Sequence, residues 1–256
     1  MNRTDQIRDK IRNGKLVKGV FITMPEASTS EMAGYAGYDY VWIDAEHGAL
    51  DRQEIYHHIM AAQGAGCAAF VRVREAIPSI LKAILDMGPD GIIFPFCNNA
   101  EIARTAVKAC SYPDDIYHGI RGQGPVRAIR YGLDDEGAYL KEAYAKVLKI
   151  AQIETYEGYQ NLDEILAVEG IDSLFVGMAD MTRSLAGISE GPKPDAVFED
   201  ICKRTKAFGK MLGCAISPSR EDALRVTEKG VQWVVFGQDS RILAEGLRAN
   251  LEAVGI

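Results

Sequence analysis

Short apolar runs alternate with helical stretches along almost the whole of this 256-residue chain. A parallel arrangement follows from such alternation, because each helical crossover returns the chain to the same edge of a sheet. Eight units in about 250 residues predict a (β/α)₈ TIM barrel, and a doubly wound open sheet is the alternative. The runs with strand composition are residues 17–22, 38–44, 69–73, 91–95, 147–154, 173–177, 211–215 and 233–237.

The segment after the first strand bears on this choice. It contains no Gly-rich GxGxxG turn, which disfavours an open sheet that binds a dinucleotide. The chain also has no low-complexity tract and no linker-like stretch. We therefore expect a single barrel domain over residues 1–256.

Charge and cysteine content exclude several classes of partner. A formal net charge of −7 disfavours nucleic acid and anionic membranes as the main partner. No apolar run approaches the roughly 20 residues that span a bilayer, and the charged N-terminus lacks the apolar core of a signal peptide. The five cysteines are odd in number and show no CxxC spacing, which favours reduced thiols in the cytoplasm over zinc or disulfides.

Polar groups gather where the second and third strands end. The stretch IDAEHGALD places Asp44, Glu46 and His47 at the end of an apolar run, and FVRV places Arg72 near the end of the next. Each alone is more often a helix cap, a turn residue or a structural ion pair. In a barrel, however, the carboxyl ends of all strands meet at one rim, where the chemistry of such enzymes lies. Their convergence there favours function.

Two further acids predict a metal at this rim. Glu154 ends the fifth strand, and Asp180 follows the sixth about one βα repeat later. Carboxylates without a Cys/His cluster suit a hard cation such as Mg²⁺ or Mn²⁺. With an arginine to hold negative charge and a histidine to move protons, the set is typical of enolate chemistry. No lysine ends a strand, which disfavours a Schiff-base aldolase.

The connection over residues 111–137 is unusually long and lies between two predicted helices. Three arginines, Arg121, Arg127 and Arg130, are spaced by glycines in it. Long ordered loops in compact domains are usually functional. Two interpretations stay open: a solvated basic surface loop, or a loop that contacts an anion or another subunit.

These motifs, in this order, resemble the HpcH/HpaI family of metal-dependent class II pyruvate aldolases. The resemblance spans nearly the whole chain and is strongest in its most specific stretches, IDAEHGALD, FVRV, GIIFPFCNNAEIARTAVKACSYP, GIRGQGPVRA, AQIET and GIDSLFVGMAD. It implies a barrel that cleaves a 4-hydroxy-2-oxo acid to pyruvate and an aldehyde through a pyruvate enolate. It also implies a divalent cofactor, Mg²⁺, Mn²⁺ or Co²⁺.

The same resemblance implies roles for individual residues. Glu154 and Asp180 match the metal ligands. Arg72 matches the group that binds the pyruvyl oxygens and stabilises the enolate. His47 matches the acid/base group, and Asp86 in ILDMG matches an acid that partners this histidine.

Further positions match groups around the bound keto acid. Gln152 matches a polar neighbour of the keto acid, while Asp44 and Glu46 match acids that hold water and orient the inner residues. The backbone N–H groups that surround the pyruvate carboxylate match Gly177, Met178 and Ala179. The family loop commonly reads GPxDLS, whereas this chain has GMADMTRS, so the substrate geometry there is open.

The C-terminal segment predicts assembly. It places Ile242, Leu243, Leu247, Leu251 and Val254 on one face of a helix. That face either closes the chain's own barrel or, as the resemblance implies, a helix over about 239–254 is exchanged between subunits of a homohexamer. Two alternatives to the aldolase remain: an acyl-CoA lyase of the citrate lyase type, and a non-catalytic barrel that binds a keto acid.

Overall fold

The computed structural model describes residues 3–113 and 115–255 and is a closed eight-stranded parallel barrel. Each strand pairs with its neighbours in chain order, and the last strand pairs with the first. The predicted (β/α)₈ barrel is therefore confirmed. Its strands are β1 Val17–Ile22, β2 Tyr40–Asp44, β3 Ala68–Arg72, β4 Gly91–Phe94, β5 Leu148–Ile153, β6 Ser173–Val176, β7 Met211–Ala215 and β8 Trp233–Gln238.

Helices surround this barrel, and a short 3₁₀ helix at Arg127–Gly132 interrupts the long connection after β4. Within the described part of the chain, none of the helices is long and apolar enough to cross a membrane. The α-helices are α1 Arg3–Arg12, α2 Ser28–Tyr35, α3 Arg52–Gly64, α4 Pro78–Leu85, α5 Ala100–Cys110, α6 Glu136–Lys146, α7 Tyr156–Gln160, α8 Leu162–Leu166, α9 Met178–Ala186, α10 Pro194–Ala207, α11 Arg220–Glu228 and α12 Asp239–Val254.

Aromatic rings fill the barrel interior. The ring centroids of Trp42 and Phe175 are 4.6 Å apart, and those of Tyr40 and Phe70 are 4.7 Å apart. Trp233 lies 5.3 Å from Phe175 and so joins the same cluster. A barrel of eight strands has room inside only for side chains, and these five rings make a solid floor beneath the rim.

Glycines in neighbouring strands make room for these rings. A Cβ atom on Gly19 would lie 2.1 Å from the Tyr40 ring, and one on Gly213 would lie 2.2 Å from the Trp233 ring. Both distances are far below van der Waals contact, so any larger residue would displace an aromatic ring. The interior is thus packed by placing each large aromatic side chain opposite a glycine of a neighbouring strand.

The first helix closes the opposite end of the barrel. Ile7 is buried in the interior cluster, and the Thr4 hydroxyl donates to the Lys146 carbonyl at 2.7 Å. Lys10 pairs with Asp39 at 2.5 Å, just before β2. With this end covered by α1, the carboxyl ends of the strands form the open mouth of the barrel.

The long connection is held against its own barrel. Arg121 is buried, stacks 4.7 Å over the Tyr112 ring and pairs with Asp86 at 3.4 Å. Arg127 donates to the Met87 carbonyl and to the side chain of Gln63. Neither of these arginines is a solvated surface charge, so their first role is to anchor the loop.

A buried histidine ties α3 to the loop after β1. His58 Nε2 lies 2.9 Å from the Met24 carbonyl oxygen, so it carries the proton, and Nδ1 accepts from the Ser30 hydroxyl at 2.8 Å. The side chain is fully buried. Burial lowers the pKa of His58, so this imidazole is kept neutral in the folded protein.

We expect this histidine to make the fold less stable in acid. Below about pH 6.5 the unfolded chain binds a proton at this histidine that the folded protein does not. The free energy of unfolding therefore decreases as the pH is lowered, by at most about 1.4 kcal/mol per pH unit. Urea unfolding of wild type and His58→Gln at about pH 7.5 and about pH 5.5 measures this. We expect His58→Gln to lose less free energy of unfolding between the two pH values than the wild type does. His57→Gln, at the exposed neighbouring residue, should lose as much as the wild type. Equal losses in wild type and His58→Gln would contradict the assignment.

Candidate active site

Polar side chains form a layer on top of the aromatic floor. Inward positions recur every second residue along a strand, so Asp44 follows Trp42 in β2, and Glu154, the first residue after β5, follows Gln152. Arg72 occupies the matching place in β3, opposite Asp44 in the strand pairing. The barrel therefore brings the sequence-predicted residues of β2, β3 and β5 to one mouth.

A two-pronged ion pair lies at the centre of this layer. Arg72 donates from Nε to Asp44 Oδ1 at 3.0 Å and from Nη2 to Asp44 Oδ2 at 2.5 Å. Its Nη1 lies 3.0 Å from Glu46 Oε2, and its guanidinium carbon lies 5.4 Å from the centre of the Trp42 ring. Asp44 is 3% exposed and Arg72 is 7% exposed. Such fork geometry fixes the arginine in one orientation.

Asp44 also shapes the turn that presents His47. Its Oδ1 accepts the backbone N–H groups of Glu46 at 3.1 Å and of His47 at 3.2 Å. The turn is tight, because a Cβ on Gly48 would lie 2.4 Å from the Asp44 carbonyl oxygen. The His47 side chain is 65% exposed, and its Nε2 is 3.7 Å from Glu46 Oε2. The imidazole thus faces solvent at the mouth, where it can exchange protons.

Glu154 is buried on the other side of the mouth. Its Oε1 accepts the backbone N–H of Phe96 at 2.8 Å, and its Oε2 accepts from Gln152 Nε2 at 2.5 Å. Neither donor carries a charge. Burial raises the pKa of Glu154, and the negative charge of Glu46 adds to that rise. Among the described residues, nothing donates to the buried Gln152 Oε1.

Gly177 lets β6 approach these two side chains. A Cβ on it would lie 2.8 Å from Glu154 Cβ and 3.2 Å from Gln152 Nε2. Helix α9 begins directly after it, with no side chain capping its first turn. The backbone N–H groups of Met178 and Ala179 belong to that turn, where helices offer donors to anions.

Asp180 lies in the same first turn and is half-exposed. Its Oδ1 pairs with Arg183 Nη1 at 3.1 Å on the helix surface. Burial raises the pKa of Glu46, and the charges of Asp44 and Asp180 act in the same direction. Glu46 therefore interacts electrostatically with the three other acids, Asp44, Asp180 and Glu154, as well as with Arg72.

This excess of negative charge fits a divalent cation. Carboxylate oxygens are the ligands that Mg²⁺ and Mn²⁺ prefer. Burial disfavours the charged form of Glu154, whose two hydrogen-bond donors are neutral. A cation in contact with the carboxylate would favour the charged form instead. Across residues 3–113 and 115–255, no group of three His, Cys, Asp or Glu side chains is arranged to hold a metal. The expected pair of Glu154 and Asp180 is smaller than that and leaves positions for substrate oxygens.

Asp86 lies away from this mouth. It follows the last residue of α4, and helices of a barrel run back toward the starts of the strands. Its carboxylate pairs with Arg121, and its carbonyl oxygen accepts the N–H of Ala128. Within one chain it therefore does not contact His47, and their pairing stays a prediction that requires a second chain.

A cavity of about 380 Å³ opens beside the ion pair. Asp44, His47 and Arg72 line it on one side, and Thr23 and Gln238 line it on another. The strand-end reasoning applied to β2, β3, β5 and β6 missed these last two residues. The same rule applied to the ends of β1 and β8 finds both of them. No pattern in the sequence marks the Phe96 N–H that bonds Glu154, since every residue has a backbone donor.

Comparison with known proteins gives a consistent result. The family model described as HpcH/HpaI aldolase/citrate lyase matches residues 18–245. A 2-dehydro-3,6-dideoxy-6-sulfogluconate aldolase of Pseudomonas putida is 39% identical over 198 residues, 76% of each chain. A 2-keto-3-deoxy-L-rhamnonate aldolase of Escherichia coli is 30% identical over 97% of this chain and 92% of its own.

Solved structures agree with these sequence relatives. A HpcH/HpaI aldolase/citrate lyase family protein from Burkholderia cenocepacia J2315 superimposes with a TM-score of 0.87 at 27% identity, covering 97% of this chain and 98% of its own. The citrate synthase SbnG superimposes with a TM-score of 0.84 at 29% identity, covering 96% of each chain.

We expect Gly177→Ala to weaken metal binding. The new Cβ would meet Glu154 at 2.8 Å and push its carboxylate aside, which lowers Mn²⁺ affinity by about tenfold or more. Mn²⁺ titration by calorimetry measures this, with circular dichroism to check the fold. Gly187→Ala, at the other end of α9, is the control, because its Cβ would meet nothing nearer than 3.9 Å. Equal Mn²⁺ affinities in both variants would remove Glu154 from the proposed ligands.

Proposed function

Because the chain belongs to the HpcH/HpaI aldolase/citrate lyase family, we propose that it is a metal-dependent class II aldolase. The reaction cleaves a 4-hydroxy-2-oxo acid to pyruvate and an aldehyde, and runs in both directions. The observation that carries this proposal is the buried Arg72–Asp44 pair beside the buried Glu154 at the open mouth of the barrel. One group there holds negative charge, and the other holds a cation.

Glu154 and Asp180 are the residues that we propose as metal ligands, for Mg²⁺, Mn²⁺ or Co²⁺. A bound divalent cation supplies a Lewis acid next to the 2-oxo group. Glu154 is already fixed by the Phe96 N–H and by Gln152, so its carboxylate does not need to reorganise. Asp180 would exchange its surface contact with Arg183 for the cation, which is a small change for a half-exposed side chain.

Arg72 stabilises the enolate in this proposal. Two of its five N–H groups are donated to Asp44, and its Nη1 lies close to Glu46. Three N–H groups remain, one on Nη2 and two on Nη1, and in this proposal they bind the pyruvyl oxygens as charge develops on C2 oxygen. Because the guanidinium is held over the Trp42 ring by its ion pair, it is oriented before the substrate arrives.

His47 moves the protons. In the cleavage direction, the proton of the C4 hydroxyl leaves, the C3–C4 bond breaks, and the electron pair goes to the pyruvate enolate. C3 then takes up a proton to give pyruvate. His47 is exposed at the mouth and neighbours Glu46, so its imidazole can relay both protons between substrate and water.

Gln152 and the start of α9 position the pyruvyl end. The buried Oε1 of Gln152 receives no hydrogen bond from the described part of the chain, and it can bind a water or a protonated substrate oxygen. The first-turn N–H groups of Met178 and Ala179 suit the substrate carboxylate. Gly177 keeps these groups close to Glu154 because it has no side chain.

A pyruvate-release assay on a panel of 4-hydroxy-2-oxo acids tests the activity. We expect release with Mn²⁺ or Mg²⁺, loss in EDTA, and recovery when metal is added back. Arg72→Lys should lower kcat on the order of 10²-fold, because a point charge cannot replace the planar fork.

The control is Arg104→Lys, a substitution of the same kind on α5. Full activity in EDTA would contradict the metal, and an unchanged kcat in Arg72→Lys would reduce the arginine to a structural role.

Assembly belongs to the same proposal. None of the residues of α12 is buried, and the apolar face predicted from sequence is 49–77% exposed at Ile242, Leu243, Leu247, Leu251 and Val254. An apolar cavity of about 320 Å³ lies beside it, lined by residues such as Ile22, Met32 and Tyr38. The helix therefore does not close its own barrel, which supports a homo-oligomer, a hexamer, in which copies exchange it.

We expect a double substitution Leu247→Asp with Leu251→Asp to break the assembly. Light scattering of the wild type should give six times the chain mass of 28.0 kDa, and the variant should give a smaller species with reduced activity. Arg248→Asp is the control, since this residue shares an exposed ion pair with Glu252. A fully active wild-type monomer at micromolar concentration would contradict the proposal.

A further inference from the structure

Phe96, two residues beyond the end of β4, has a backbone conformation that residues other than glycine rarely adopt. Its φ is 48°, in the left-handed region that glycine enters readily and bulky side chains avoid. Across residues 3–113 and 115–255, four other non-glycine residues have a positive φ, and these lie in the long connection or in the loop after α9. Phe96 differs from them because its N–H donates to Glu154 Oε1, at 2.8 Å.

The N–H of Phe96 is not used in the sheet. The pairing of β4 with β5 ends at Phe94, and the next carbonyl of β5, that of Gln152, accepts the N–H of Cys97 at 3.1 Å. The chain therefore passes over Phe96 when it bonds to β5. This leaves one backbone donor at the mouth for a side chain, and Glu154 accepts it.

The phenyl ring does not explain why the backbone is held in this conformation. Phe96 is 47% exposed, and it lines a surface cavity together with Ile77 and Ile102. A side chain that buries only about half of its surface gains little free energy to offset a strained backbone. The conformation must therefore be held by the neighbours of the turn.

Asn98 ties this turn to the segment that follows β5. Its carbonyl oxygen accepts from Asn161 Nδ2 at 2.9 Å, and its Oδ1 accepts from the Thr155 hydroxyl at 2.6 Å. Its own N–H donates to the Phe96 carbonyl at 2.8 Å. Since Thr155 follows Glu154 in the chain, these contacts hold both partners of the hydrogen bond between Phe96 and Glu154. Strained residues persist where the surrounding contacts fix them in this way.

We propose that Phe96 is a positioning residue for the metal ligand Glu154, and that its left-handed backbone serves to direct one N–H at Glu154 Oε1. This assignment rests on the proposed aldolase function and adds a residue to its metal site. A hydrogen bond to one oxygen fixes the rotation of the carboxylate, as the groups behind metal ligands do elsewhere. Because a backbone group supplies the bond, the residue type at position 96 acts through the conformations that it permits.

Three substitutions that all remove the phenyl ring separate the backbone from the side chain. Glycine and asparagine tolerate the left-handed region, whereas β-branched valine resists it. We expect Phe96→Gly and Phe96→Asn to keep the Mn²⁺ affinity of the full-length wild type within about threefold, because the N–H stays in place. Phe96→Val should lower it by about tenfold or more, because its backbone turns the N–H away. Calorimetric titration with Mn²⁺ measures the affinity, and circular dichroism checks the fold.

Phe208→Val is the matched control. Phe208 is 41% exposed and follows α10 with a φ of −81°, so valine removes a ring there without backbone strain. Its Mn²⁺ affinity should equal that of the wild type.

Asn98→Leu reaches the same turn by a second route. It removes the side-chain hydrogen bonds of Asn98, so it should lower the Mn²⁺ affinity by about tenfold. In the Phe96→Gly background the same substitution should cost much less, because glycine is not strained there. This pair of variants decides the question if Phe96→Val does not fold.

Two results overturn the assignment and leave the proposed aldolase intact. One is an equal Mn²⁺ affinity in the glycine, asparagine and valine variants, whether all match the wild type or all are weakened. The other is an equal effect of Asn98→Leu in the wild type and in Phe96→Gly. Glu154→Ala separates both from a failure of the metal site itself. If the wild type does not bind Mn²⁺, or Glu154→Ala binds it as tightly, the proposed metal ligand falls and the role of Phe96 falls with it.

Discussion

The ion pair between Asp44 and Arg72 is the interaction on which the rest of the mouth depends. Burying two charges is expensive, and the cost is offset only when geometry is good and the remaining donors and acceptors are satisfied. Here the carboxylate binds the guanidinium with both oxygens and also accepts two backbone N–H groups of the following turn. The Trp42 ring supports the guanidinium from below. One carboxylate thus places both the arginine and the turn that presents His47.

The two sides of the mouth differ in the charged groups that line them. On the side of β5 and β6, the buried Glu154 has only neutral donors, which suits a cation. On the side of β1 and β8, the described residues that line the cavity include no arginine or lysine other than Arg72, which is paired with Asp44. The two sides of the mouth therefore offer different surroundings to the two ends of a bound molecule.

Sequence reasoning predicted the barrel and most of the mouth for a definite reason. Alternation of apolar strands with helices leaves few topologies, and a barrel then sends every strand end to one rim. Asp44, Arg72 and Glu154 follow from that rule. It does not reach Asp86 and Arg121, because Asp86 follows α4, and the burial of Arg121 against Asp86 depends on contacts that no strand end predicts. It also passed over Thr23 and Gln238, since neither residue type suggests a metal or a proton.

The sequence by itself determined the period of the fold, the number of strands and the residue types at their ends, because these depend on local patterns and on a closed sheet. Only the tertiary structure decided which atoms of those residues remain free. The hydrogen bonds of Thr23 with Asp239 and Gln238 join residues that lie far apart in the chain and meet when β8 closes on β1. Whether α12 covers its own barrel depends on packing, and its apolar face is left exposed. Hydrogen-bond direction and burial are properties of neighbours in space, which no local pattern records.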